Sequence, residues 1–130
     1  MPAISRIFLL IAGVSLMAAA QLSAYGFHGL TGKVSAAQLA SWEWANRMHF
    51  YHSLGLILIA LLLAHAPRSV LLRASAGLMM LGSVLFCGGI YAETLGAPAI
   101  VTRTVPLGGG SFMLAWLLVA VAGIRIRPAA

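Results

Sequence analysis

Four long stretches of the chain contain no charged residue: 7–32, 48–67, 74–92 and 104–124. The eight basic and two acidic residues all lie between or beside these stretches. A helix of about 20 apolar residues crosses the roughly 30 Å core of a membrane, so each stretch is long enough for one crossing. The pattern predicts an all-α fold, a bundle of four transmembrane helices.

Helix start and stop signals refine the crossings and add a short helix. The spans are expected at about 4–24, 49–66, 70–92 and 107–124. Ser35 and Gln38 match a capping box, which predicts an interfacial helix over about 36–47, between spans 1 and 2. Trp42 and Trp44 would belong to the aromatic belt of the membrane interface. No proline or glycine separates this helix from span 2, so the two could equally form one bent helix.

Composition supports a membrane protein and excludes a nucleic-acid partner. Hydrophobic residues make up 62% of the chain and charged residues 8%, far from the composition of a soluble domain. The net charge of +6 comes from single basic residues at the ends of the apolar stretches, with no basic stripe to follow a phosphate backbone. Residues 1–130 are predicted to form a single integral membrane domain whose first partners are membrane lipids.

The basic residues favour one orientation in the membrane. With the N-terminus in the cytoplasm, five of them lie on the cytoplasmic side and three on the other side. The five are Arg6, Arg68, Arg73, Arg125 and Arg127, and the three are Lys33, Arg47 and Arg103. The positive-inside rule therefore predicts that both termini are cytoplasmic.

The first span also resembles a cleaved signal peptide, because Arg6 precedes an apolar run that ends in the small residues Ala18–Ala20. Three further spans follow it, and a protein that crosses the membrane several times commonly keeps its first helix. We therefore expect span 1 to be retained.

Six small residues mark helix faces that are expected to pack closely. They are Ser15, Ala19 and Ser23, four residues apart in span 1, and Gly82, Gly88 and Gly89 in span 3. Small side chains let helix backbones approach one another in a membrane. Small-residue faces left uncovered in the bundle would be available to a membrane-protein partner or to a second copy of the chain.

The predicted topology gathers the chemically unusual side chains at the membrane face opposite the termini. The candidate polar cluster consists of His28, His49, His52, Tyr91, Thr104, Gly108 and Gly109. His49 and His52 are three residues apart and so share one helix face. A histidine inside an apolar span needs a partner: a ligand, proton or metal ion in a functional site, or a carbonyl or hydroxyl that only fastens helices. The frequency of such fastening contacts in bundles favours the structural alternative.

Several specific chemistries find little support in the sequence. Gly108–Gly110 at a helix start could bind an anion, but such a run more often allows close backbone approach. Haem would need two histidines at matched depth, and zinc would need cysteines or carboxylates suitably spaced from the histidines. Cys87 lies alone in an apolar span. We predict no metal, no cofactor and no catalytic residue, which favours a protein that is not an enzyme.

Four short motifs, in order along the chain, resemble those of a known family. They are Tyr25-Gly26-Phe27-His28-Gly29-Leu30, Tyr51-His52-Ser53-Leu54 after Trp42, the stretch Gly82–Tyr91, and Val105-Pro106-Leu107-Gly108-Gly109 before Trp116. The chain is similar over nearly its whole length to the family known as domain of unknown function 423, small four-helix membrane proteins of bacteria with eukaryotic relatives. The resemblance implies that the protein lies in a bacterial inner membrane. It also implies that His28, His52, Tyr91 and the Pro-Leu-Gly-Gly turn belong to the family pattern. It implies no biochemical activity.

Two functions are expected from these observations. The first is a non-catalytic accessory subunit, or an assembly or stability factor, of a larger membrane complex, because catalytic groups and soluble bulk are lacking. The alternative is a protein that binds or transports a small ligand at the outer face, using His28, His52 and Tyr91. A quinone, a metal ion or a lipid headgroup would be such a ligand.

Overall fold

The computed structural model describes residues 1–126 of the chain. Its α-helices are α1 (Ala3–Tyr25), α2 (Ala36–His65), α3 (Val70–Gly82), α4 (Gly88–Thr94) and α5 (Thr104–Arg125). Three short elements connect or extend these helices. A π-helical turn, Gly26–Leu30, extends α1, and a second π-helical turn, Ser83–Cys87, joins α3 to α4. A 3-10 helix, Ala99–Arg103, leads into α5. Together they form four stretches long and apolar enough to cross a membrane, which confirms the predicted all-α, four-helix fold.

α2 is one continuous helix, so the interfacial segment predicted over 36–47 is the first part of the second span. The capping box is confirmed: the Gln38 N–H donates to Ser35 Oγ at 3.1 Å, and the Ser35 N–H donates to Gln38 Oε1 at 3.0 Å. At 1.5 Å per residue, these 30 residues extend about 45 Å, well beyond the roughly 30 Å of a membrane core. α2 is therefore longer than one crossing of the apolar region requires.

The fourth span begins earlier than predicted, because α5 starts at Thr104 and not near residue 107. Pro106 falls in its first turn, where a helix needs no backbone donor. Gly108–Gly110 therefore lie inside α5, and their N–H groups serve the hydrogen bonds of the helix itself. These glycines do not form the helix start that an anion site would need.

α2 lies at the centre of the bundle. α1 packs along α2, whereas α3 packs against both α2 and α5. The buried residues form two groups. The group toward the chain termini includes Leu63, Leu72 and Ala122, and the group toward the opposite end includes Trp42 and Tyr91. α1 and α3 share few direct contacts, which leaves room for a cavity between them.

α5 crosses the third span at short range, and glycines make this approach possible. A Cβ at Gly82 would lie 2.5 Å from the Phe112 ring, and a Cβ at Gly108 would overlap the backbone of Phe86. A Cβ at Gly89 would lie 2.8 Å from a threonine hydroxyl of α5. Gly82 and Gly89 thus lie at a contact between helices.

The other four residues singled out for helix packing have different surroundings. Ala19 is fully buried, and its carbonyl accepts a hydrogen bond from α2. Ser15 is half-buried between α1 and α2, whereas Ser23 is exposed. Gly88 borders the cavity described below.

Gly108→Ala is expected to destabilise the protein by about 1–3 kcal/mol, because the added methyl group has no space beside Phe86. Gly110, two residues further along α5, has no atom within 4 Å of an added Cβ. Gly110→Ala should therefore be neutral or slightly stabilising, since alanine favours a helix. Thermal unfolding in lipid nanodiscs compares the two variants, and equal stability would contradict the close crossing.

Candidate functional site

One buried face of α2 carries four side chains with polar groups. Trp42, Asn46, His49 and Ser53 are separated by four, three and four residues, which places them on one side of the helix. All four are at most 9% exposed. Inside a membrane, such groups must find their hydrogen-bond partners within the protein.

The first two of these side chains bond to the backbone of α1. The Trp42 indole N–H donates to the Leu22 carbonyl at 3.0 Å, and Asn46 Nδ2 donates to the Ala19 carbonyl at 2.9 Å. Trp42 also packs against the Tyr91 ring, with 4.5 Å between the centroids. Trp42 is 1% exposed and Trp44 is 51% exposed, so Trp42 packs inside the bundle and Trp44 faces outward.

A continuous chain of hydrogen bonds, which we call the polar chain, runs from Asn46 to Ser53. Asn46 Nδ2 lies 3.2 Å from the Tyr91 hydroxyl, which lies 3.3 Å from His49 Nδ1. The other ring nitrogen, Nε2, lies 3.0 Å from Ser15 Oγ. That hydroxyl lies 2.6 Å from Ser53 Oγ. The polar chain thus joins α1, α2 and α4 within the spans, where water is not available to satisfy these groups.

His52 takes no part in the polar chain, and both of its ring nitrogens have partners. Nδ1 lies 2.7 Å from the Met48 carbonyl, and Nε2 lies 3.1 Å from the indole nitrogen of Trp116. An indole N–H can only donate, so Nε2 accepts and the imidazole proton is on Nδ1. The ring also stacks on Phe112, with 3.4 Å between the centroids. His52 is therefore a neutral contact between α2 and α5.

The structure divides the polar cluster predicted from the sequence. It brings His49 and Tyr91 into direct contact. His28 is exposed and packs edge-on against the ring of Phe27, with 4.9 Å between the centroids. Three further members lie where α5 crosses the third span: Thr104, Gly108 and Gly109. Within residues 1–126, no three His, Cys, Asp or Glu side chains come together as a metal-binding group.

A cavity of about 410 Å³ lies beside the polar chain, between α1, α2 and the third span. His49, Ser53 and Tyr91 contribute neutral polar groups to its lining, which is otherwise mostly apolar. None of its described lining residues is charged. Ile11 on α1 and Val84 on the third span line the cavity and are also exposed on the outside of the bundle. The cavity therefore opens sideways, toward the lipid.

The π-helical turn Ser83–Cys87 forms one wall of this cavity. The Ser83 hydroxyl donates to the Met79 carbonyl at 2.9 Å, and Cys87 is buried. A single π-helical turn shifts the side chains that follow it around the helix, and such turns are frequent at functional sites. Tyr91 follows this turn by four residues, so its orientation toward His49 depends on the turn.

Comparison with known proteins places the chain in a family. Residues 22–109 match the family described as "Protein of unknown function (DUF423)". The UPF0382 membrane protein YwdK of Bacillus subtilis is 31% identical over 120 residues, which cover 92% of this chain and 98% of that protein. A UPF0382 membrane protein of Staphylococcus saprophyticus is 31% identical over 121 residues, 93% of this chain and 99% of that protein. The chain belongs to the DUF423 family. No solved structure matches it.

The range matched to the DUF423 family contains most of the polar chain. It includes the polar face of α2 and Tyr91, whereas Ser15 and Trp116 lie outside it, on either side. The bacterial relatives are named membrane proteins, in agreement with the four candidate spans. This DUF423 protein is therefore a membrane protein.

Sequence reasoning missed two members of the polar chain. Asn46 and Ser53 are not in the predicted cluster, and Ser15 is predicted only for packing. Their spacing could have identified them, because Asn46, His49 and Ser53 fall on one face of a helix that is otherwise apolar. Polar residues aligned in this way within a membrane span require partners on neighbouring helices.

Asn46→Leu is expected to destabilise the DUF423 protein by about 1–3 kcal/mol, because the Ala19 carbonyl and the Tyr91 hydroxyl would both lose a donor. Gln21→Leu also replaces a side-chain amide by leucine, at an exposed position of α1, and should shift the free energy of unfolding by less than about 0.5 kcal/mol. Unfolding of both variants in nanodiscs measures the difference. A neutral Asn46→Leu would show that the polar chain does not hold α1 in place.

Proposed function

We propose that this protein binds a neutral, largely apolar molecule from the membrane and does not convert it chemically. The observation that carries the proposal is the cavity of about 410 Å³, with its apolar walls, few neutral polar groups and sideways opening. Ligand sites commonly have volumes of about 300–1,000 Å³ and combine apolar walls with a small number of orienting polar groups. A molecule dissolved in the bilayer could enter this cavity without crossing water.

The proposed site differs from the one expected from the sequence. His28 is exposed and is not among the described lining residues, whereas His49 and Ser53 line the cavity. His52 also lines the cavity, but its hydrogen bonds join it to Met48 and Trp116 and not to the polar chain. Tyr91 is common to both sites. A metal ion or a charged headgroup is disfavoured as the occupant, since placing a charge among uncharged side chains within a membrane is costly.

Gly88 allows the cavity to be filled without disturbing the backbone. It borders the cavity, and an added Cβ would meet only the Ser83 carbonyl, at 3.9 Å. A leucine at this position can therefore extend into the empty space. Gly77, in the same span, has no atom within 4 Å of an added Cβ and is not among the described lining residues. It provides a matched control.

Gly88→Leu is expected to abolish co-purification of the membrane-derived ligand, whereas Gly77→Leu should leave it unchanged. The native chain and both variants are isolated in native nanodiscs, and the bound small molecules are identified by mass spectrometry against the bulk lipid. If the native chain carries no enriched molecule, or if Gly88→Leu retains it, the proposed site is wrong.

A second candidate function, an accessory subunit or assembly factor of a membrane complex, is favoured by a different observation. Gly13, Gly77 and Gly123 lie on exposed faces of the spans, each with open space where a Cβ would be. Exposed glycines allow another helix to approach closely, from a partner or from a second copy. In the same experiment, a stoichiometric protein lost from Gly77→Leu but kept by Gly88→Leu would support this function.

We also propose a location in the bacterial cytoplasmic membrane, with both termini in the cytoplasm. The end of the bundle where α1 begins and α5 ends also holds Arg68, Arg73 and Arg125, and basic residues are enriched on the cytoplasmic side of membrane proteins.

Reporter fusions test this orientation. Alkaline phosphatase fused to the C-terminus should be inactive, because it matures only outside the cytoplasm, and green fluorescent protein at the same position should fluoresce. Phosphatase inserted at Gly96, in the connection at the opposite end, should be active. The reverse pattern of activities would contradict cytoplasmic termini.

A further inference from the structure

We propose that the cavity selects molecules carrying a carbonyl-type oxygen, because the polar chain ends in a hydroxyl proton of Ser53 that faces the cavity. This inference rests on the proposed ligand site and names the chemistry that the site recognises. It depends on the direction of each hydrogen bond in the polar chain.

The direction is set at Asn46. Its Nδ2 lies 2.9 Å from the Ala19 carbonyl oxygen, which can only accept, so this atom is the amide nitrogen and not the amide oxygen. The same nitrogen carries a second proton, which it donates to the Tyr91 hydroxyl at 3.2 Å. Tyr91 must then donate its own proton to its other partner, His49 Nδ1, at 3.3 Å.

His49 transmits this direction to the serines. Because Nδ1 accepts from Tyr91, a neutral imidazole carries its proton on Nε2. Nε2 then donates to Ser15 Oγ at 3.0 Å. Either serine can donate in the 2.6 Å contact between Ser15 Oγ and Ser53 Oγ, and we assign Ser15 as the donor, because a hydroxyl that accepts a hydrogen bond becomes a better donor to the next group. The opposite direction would leave the Tyr91 proton, and not the Ser53 proton, without an acceptor. It is less favourable, because a phenol is a stronger hydrogen-bond donor than an aliphatic hydroxyl and loses more when it has no acceptor.

Ser53 is the end of the polar chain. It is 2% exposed and borders the cavity, and when it accepts from Ser15 its own hydroxyl proton has no second acceptor among residues 1–126. Ser83, another hydroxyl of the same cavity, donates its proton to the Met79 carbonyl. Among the described residues, the cavity therefore offers one free hydroxyl donor, in uncharged and mostly apolar surroundings.

A donor without an acceptor favours a ligand that brings one. A carbonyl of the ketone, quinone or ester type is an uncharged oxygen acceptor that a mostly apolar molecule can carry. The hydrogen bond would place that carbonyl at Ser53 and the apolar part of the ligand against Leu56, Met79 and Met80. Two sources share this chemistry: the ester carbonyl of a membrane lipid, and a free carbonyl compound dissolved in the bilayer.

Infrared spectroscopy of 2-tridecanone, in nanodiscs made of ether lipids without carbonyl groups, tests the inference. A hydrogen bond lowers the carbonyl stretching frequency, so ketone bound to the native chain should show a second band at lower frequency. Ser53→Ala removes the free donor and leaves the Ser15 hydroxyl, one step further along the polar chain, as the nearest donor. The band should therefore weaken. Ser83→Ala removes a hydroxyl of the cavity that lies outside the polar chain, and it should leave the band unchanged.

Tyr91→Phe is the more specific variant, because Tyr91 is a positioning residue that sets the direction of the polar chain. Without the Tyr91 hydroxyl, His49 Nδ1 no longer has to accept, so a second form becomes accessible in which Nδ1 carries the proton and Ser53 donates to Ser15. The lower-frequency band should weaken, and retention of the ketone should fall by up to about fivefold, the loss expected for one hydrogen bond. Retention of tridecane, the matched hydrocarbon, should stay the same in every variant and shows that the cavity is intact.

The possible failures are distinguishable. A lower-frequency band that keeps its full intensity in both Ser53→Ala and Tyr91→Phe, or that is lost in Ser83→Ala, would overturn the carbonyl inference. The ligand site would still stand if Gly88→Leu expelled ketone and tridecane alike. A native chain that retains neither molecule would overturn the site itself.

A second arm in ester-lipid nanodiscs separates the two sources of the carbonyl. Displacement of the ketone by the ester lipid identifies a lipid as the occupant, and persistence of the ketone band identifies a free carbonyl compound.

Discussion

A polar side chain in the apolar core of a membrane has no water to bond to, and this constraint shapes the whole bundle. α2 carries Asn46, His49 and Ser53 on one buried face, and their partners lie on α1 and α4. Because α1 packs mainly along α2, these bonds determine where α1 lies and how it is rotated. With α1 held there and away from α3, a space remains beside the third span, and this space is the cavity.

Most of the fold could be predicted from the sequence. The thickness of the membrane core sets the length of the charge-free helices, and the unsatisfied N–H groups at a helix start explain the capping box that begins α2. The site could be predicted only in part. His49 and Tyr91 meet, but His28 lies in the π-helical turn after α1 and is exposed. Thr104 and Gly108 belong instead to the crossing of α5 with the third span. The glycines indicate that helices approach closely there, but which two helices meet depends on tertiary packing, which no local pattern encodes.

His49 and His52 show how surroundings assign different roles to the same residue type three positions apart. His52 bonds to its own helix and to Trp116, which fixes its proton on Nδ1 and occupies its other nitrogen. His49 instead lies between a tyrosine and a serine, two groups that can each donate or accept. Its protonation therefore depends on the direction of the whole polar chain, and that direction determines what Ser53 offers to the cavity.

The protonation of these two histidines tests the polar chain most directly. Magic-angle-spinning NMR of the protein labelled with 15N-histidine, in lipid bilayers, distinguishes the two tautomers by their nitrogen chemical shifts, and His49→Phe and His52→Phe assign the signals. We expect two neutral imidazoles with opposite tautomers, the proton on Nε2 in His49 and on Nδ1 in His52. A His49 protonated on Nδ1, or on both nitrogens, would contradict the direction of the polar chain and the free hydroxyl proton at Ser53.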